Sequence, residues 1–225
     1  MRFDILHKPD YAALHATLSA GESITAETGS LVSMDGGVKL ESNLKGGVFG
    51  AAKRALAGES VFLNTYTASG DGQAVDLAPP TPGDVVHVPM TGTSVIVQRG
   101  GFLACSQGVQ VDAKWGGARS FFAGEGLIML KATGTGDLFV ASYGAIHLVN
   151  VRGTYIVDTT HVVAFDEGLT YSIRKVGGLK SLFLSAEGLV VEFQGTGRVW
   201  LQTRSAPALA NFLHPFRAVE PQKNN

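Results

Sequence analysis

The chain has 225 residues, 45% of them apolar and 16% charged, a composition that buries a sizeable core and excludes a largely disordered protein. Its 18 basic residues face 19 acidic ones, for a formal net charge of −1. That balance lacks the cationic surplus of a chain that grips phosphates, so a nucleic-acid partner is not expected. Residues Met1 to Asp10 carry no apolar run of the secretory type, and no window reaches the roughly 18 apolar residues of a spanning helix. With Cys105 as the single cysteine, no intrachain disulfide forms. A cytoplasmic location is expected, with a place at the periphery of the inner membrane as its variant.

The predicted elements begin with a strand at Ala13–Leu18, then a block from Ile24 to Met34 and an alternating strand after Gly37. Between 46 and 58 the β pattern breaks: Phe49, Ala52 and Leu56 stand at helical spacing, which predicts a short helical insertion. A hairpin follows, from Glu59 through the turn Ser69-Gly-Asp-Gly. The Pro-rich stretch from Ala78 to Gly83 reads as a boundary. Beyond it the order returns: a strand at Val85–Met90, a block from Val95 to Cys105, a strand after Gly108, and a hairpin from Glu125 with its turn near Thr135. It returns once more with Ala145–Asn150, Tyr155 to Phe165, a strand after Gly168, and a hairpin from Glu187 with its turn near Thr196. Ser205 is placed to cap a final helix bearing Leu209, Phe212 and Leu213, and the tail from Arg217 to Asn225 is polar.

A pattern used three times predicts an all-β chain of three tandem units at 11–78, 84–142 and 143–204, followed by a helix and tail at 205–225. In this alignment Ile24, Val95 and Tyr155 are equivalent, as are Met34, Cys105 and Phe165, and Glu27, Gln98 and Asp158.

Several stretches resemble a widespread family of bacterial proteins related to the fungal mitochondrial biogenesis (altered inheritance of mitochondria) protein. They are Met34 to Val38, Lys53 to Ser60, Gln98 to Ala104, Ser142 to Ala145 and Gly197 to Ser205. The resemblance covers nearly the whole chain in order. It implies three shortened double-stranded β-helix units of the kind found in the trp RNA-binding attenuation protein. It also implies a homotrimer closing into a ring of nine such units. No activity and no cofactor are implied. Ring closure has a physical sense of its own, since units in a row leave open sheet edges at both ends.

Three groups are candidate sites. His15, His87 and His147 align by unit, and alternation predicts that they share one strand face as a belt able to bind metal or sense pH. Solvent-facing strand residues with no common role is the simpler reading. Glu59, Glu125 and Glu187 also align, either as a ring of carboxylates or as strand-end residues that accept backbone N–H bonds. The 46–58 insertion departs from the repeat and sets Val48, Phe49 and Leu56 beside Lys53 and Arg54, a composition suited to a membrane surface or a partner groove. The bland alternative is a lid on its own barrel. No G-x-S-x-G, H-E-x-x-H, C-x-x-C, P-loop or H-x-H pattern occurs. The function expected is a non-enzymatic scaffold or interaction protein. A small-molecule or RNA-binding ring, by analogy of fold, is the alternative, and a metal-dependent enzyme using the histidines is a further one.

Overall fold

The computed structural model describes residues 1–42, 63–112, 128–175 and 189–217. Among them the chain is all-β, with antiparallel pairing throughout its strands and one short α-helix. Alternation of small apolar and polar residues sets the early strands: β2 (Ala13–Leu18) turns Leu14, Ala16 and Leu18 inward, and β3 (Ser23–Glu27) turns in Ile24 and Ala26. β1 (Arg2–Leu6) runs antiparallel along β2. Next come β4 (Leu31–Met34), β5 (Val38–Ser42), β6 (Leu63–Ala68) and β7 (Gln73–Leu77). A four-stranded sheet has the order β1-β2-β7-β4.

The remaining strands join β3, β5 and β6 in one eleven-stranded sheet. β8 (Val85–Gln98) and β11 (Met129–Ala141) form a long antiparallel pair, and the other edge of β11 holds β9 (Phe102–Ser106) and β10 (Val109–Asp112). β12 (Ile146–Asp158) and β15 (Leu189–Gln202) pair likewise, with β13 (Val162–Asp166) and β14 (Thr170–Lys175) on the far edge of β15. In the first part of the chain the corresponding strands are interrupted. β2 and β3 pair with β7 and β6, and these pair with β4 and β5.

Two further pairings stitch these groups together. β9 lies against β3 with Ala104 opposite Ala26, and β13 lies against β8 with Ala164 opposite Val97. Three apolar clusters result, built around Leu14, Ile24 and Leu77, around Val95, Phe102 and Leu130, and around Phe165, Val191 and Phe193. Full burial of each such side chain contributes about 1.5–3 kcal/mol. Trp200 closes the second cluster. The C-terminal helix α1 (Ala206–Leu213) forms as expected, with the Ser205 side chain accepting from the Ala208 N–H.

Candidate functional site

The residues of the 46–58 insertion, including Val48, Phe49, Lys53, Arg54 and Leu56, lie outside the described residues, as do Glu59, Glu125 and Glu187.

The three histidines do not share one strand face. His15 stands on the face of β2 turned away from the first apolar cluster, and His87 on the face of β8 turned away from the second cluster that Val88 and Met90 join, packed instead beside Phe3 and Phe139 of the first. In β12, however, Val149, Val151, Tyr155 and Val157 share the face that packs the third cluster, and by alternation His147 belongs to that face. The reason is one residue. Thr93 pairs with Gly134 and Thr91 with Thr135, so Gly92, at φ +80°, is an unpaired bulge in β8. β12 runs from Ile146 to Asp158 against β15 with no such shift. A single inserted residue exchanges the two faces of everything before it, so sequence alignment across the bulge puts His147 opposite in sense to His87. His147 is exposed, and among the described residues no group of three or more His, Cys, Asp and Glu side chains is placed to hold a metal ion.

The other two histidines have carboxylate partners that their sequence neighbours did not announce. His15 Nδ1 lies 2.7 Å from Asp76 Oδ1, and the Ser33 hydroxyl donates to Asp76 Oδ2 at 2.5 Å. The Ser33 bond, with His15 beside it, holds the Asp76 carboxyl below the usual range. The carboxylate sits between the serine and the histidine. This order leaves Ser33 without the imidazole base that a nucleophilic serine requires. His87 Nε2 meets Asp137 Oδ1 at 2.7 Å, with the rings of Phe3 and Phe139 packed around the imidazole. These partners became visible only through strand register. Asp76 is directly across from His15, whereas Asp137 is diagonal to His87.

Where β13 meets β8, Arg198 holds Asp166 through two parallel side-chain bonds of 3.0 and 2.9 Å, and stacks over Trp200. Lys131 bonds Glu167 at 2.6 Å and lowers its pKa. A shallow cavity of about 380 Å³ lies among Thr93, Ser94, Asp166, Glu167 and Arg198. Its charges are already matched to one another, a structural arrangement for joining two strand groups. Burial pushes the Cys105 thiol up to about 12, so it is not a nucleophile.

The open features are edges. Among the described residues β4 is paired only through β7, and β12 only through β15. Both carry exposed apolar side chains, Val32 and Met34 on β4 and Ile156 on β12. No helix among the described residues is long and apolar enough to cross a membrane.

Comparison with known proteins agrees with this architecture. An uncharacterized protein of Streptococcus pyogenes serotype M6 is 29% identical over 226 residues, covering 96% of this chain and 91% of its own. The X-ray crystal structure of a Streptococcus pyogenes protein superposes with a TM-score of 0.82 at 28% identity, over 96% of this chain and 99% of that one. The family model for mitochondrial biogenesis AIM24 matches residues 3–204. The resemblance first met in the sequence motifs thus extends through all the strands, and the chain belongs to the mitochondrial biogenesis AIM24 family.

Proposed function

We propose that this protein is a non-enzymatic scaffold whose working form is a homotrimeric ring of nine β-units, three per chain. The observation that carries the reading is the match between two of the edge strands, β4 and β12. β9 covers the β3 edge and β13 covers the β8 edge within one chain. β4 is the equivalent of β9 and β13, and the second half of β12 is the equivalent of the covered edges. A strand pair of the same kind between copies would set Met34 opposite Ile156, as Cys105 is opposite Thr25 and Phe165 opposite Ile96. Head-to-tail pairing removes two exposed edges per chain, and rotation through a third of a turn closes it.

The polar clusters around Asp76 and Asp166 bond their own side chains to one another, as suits an interaction scaffold. The test is light scattering on the purified chain. The native protein is expected at three times the 23.6 kDa of the chain, and Met34→Lys with Ile156→Lys is expected to lower that mass. A native monomer would sink the ring.

Contact with a membrane surface through residues 46–58 is the partner proposed for that ring, on its apolar and basic composition. Flotation with anionic phosphatidylglycerol liposomes tests it. Phe49→Asp with Lys53→Glu is expected to reduce the floated fraction, and unchanged flotation removes the membrane from the reading.

A further inference from the structure

Among the described residues α1 has no apolar surface packed beneath it. None of its residues is buried, although Leu209, Phe212 and Leu213 give it an apolar side that the following Phe216 extends, Phe212 at 66% and Phe216 at 74% exposure. Its start is nevertheless fixed, because the capping residue Ser205 is itself buried. A helix rooted this firmly and left uncovered on its apolar side needs a surface to lie on. A second unmatched surface is elsewhere on the chain. Tyr11, 74% exposed, forms with Pro79, Pro80 and Pro82 an apolar groove of about 380 Å³.

The strand connections bring these two surfaces together across copies. The start of each strand group is tied by backbone hydrogen bonds to the junction leading into the following one. Ala12 N–H donates to Gly83 O, and Asp84 N–H donates to Gly144 O. Gly144 N–H already donates to Pro82 O and Ala145 N–H to the Thr203 hydroxyl, so in the ring it is the order of the strand groups, not a further backbone bond, that sets the Gly144–Ala145 start of the last group beside the Tyr11–Ala12 start of the first group in a neighbouring copy. Thr203 N–H already donates to Ala145 O and Arg204 N–H to Tyr143 O, so α1 springs from that spot. A helix of eight residues is roughly 12 Å long.

We infer that α1 of one copy seats its Leu209, Phe212 and Phe216 side in the Tyr11, Pro79 and Pro80 groove of the next copy, as a clasp over the β4–β12 joint. This rests on the ring reading above. A second copy is the occupant because an apolar helix side meets an apolar groove, and within Ala206 to Phe216 there is no Lys or Arg for anionic headgroups, Arg204 and Arg217 lying beyond its ends.

Disulfide trapping separates the clasp from the ring. Full-length Pro80→Cys and Phe212→Cys chains are co-expressed, oxidised and run without reductant; both positions are exposed, so folding is not at risk. The buried Cys105 stays in place. A parallel co-expression of Met34→Cys with Ile156→Cys reports the edge joint. Covalent dimers in both experiments are the expected result. Dimers from the Met34 and Ile156 pair alone would overturn the clasp and leave the ring standing. With dimers in neither, the ring fails and the clasp with it. A Phe212→Asp, Phe216→Asp chain that loses flotation with phosphatidylglycerol vesicles, alongside no Pro80–Phe212 dimer, would assign the helix to lipid and overturn the clasp.

Discussion

His15 Nδ1 lies 2.7 Å from Asp76 Oδ1 while the same carboxylate accepts from Ser33, so three strands, β2, β7 and β4, are pinned at one side chain. Asp76→Ala removes both bonds and is expected to cost about 0.5–1.5 kcal/mol for each bond lost, less where water replaces it. The Asp76 pKa is depressed on folding from its ordinary 3.8, chiefly by Ser33. A depressed carboxyl contributes stability that is present above the unfolded value and lost as pH falls through the folded one. The difference between native chain and variant in urea unfolding should therefore be full above about pH 5 and shrink below it. A gap that does not change with pH would show that the charge is not what matters there.

Glu27 behaves in the opposite sense. Burial raises its carboxyl pKa, and the nearby Arg99 offsets this only in part. Here the charged form is penalised in the folded chain, so stability is lost as pH rises through the folded value. Glu27→Gln, the residue type found at the aligned Gln98, is expected to raise the unfolding midpoint at pH 7 and to make little difference near pH 4. Equal midpoints at both pH values would contradict this.

Tyr66 is fully buried in the first apolar cluster, and its hydroxyl has no hydrogen-bond partner among the described residues. An unsatisfied buried hydroxyl costs about 1–3 kcal/mol. Tyr66→Phe keeps the ring and drops the penalty, so thermal unfolding should move upward by a few degrees, on the order of 1 kcal/mol. Destabilisation by the same change would mean that the hydroxyl is satisfied.

Gly83 and Gly144 form a parallel bridge, and a Cβ on Gly83 would overlap the carbonyl oxygen of Ser142. Backbone, not a flexible side chain, blocks the space. Gly83→Ala is expected to cost about 1–3 kcal/mol through forced backbone displacement, read by urea denaturation. Gly100→Ala, where a Cβ meets nothing within 4 Å, is the control and should fall within about 0.5 kcal/mol of the native chain.

The sequence by itself determined the all-β class, the family and the position of most strands. Alternation at Ala13–Leu18 and the capping serine of α1 are short-range signals, and both elements stand where they were read. What the sequence missed is whatever depends on register. The Gly92 bulge inverts the sense of every residue before it in β8, which is why three aligned histidines come to lie on different faces. Asp76 is 61 residues from His15, and Asp137 50 from His87, so neither pairing has a local signal. Only the tertiary structure decided which carboxylate meets which imidazole, and which strands are left at an edge, because both follow from how distant strands are aligned rather than from what any one strand contains.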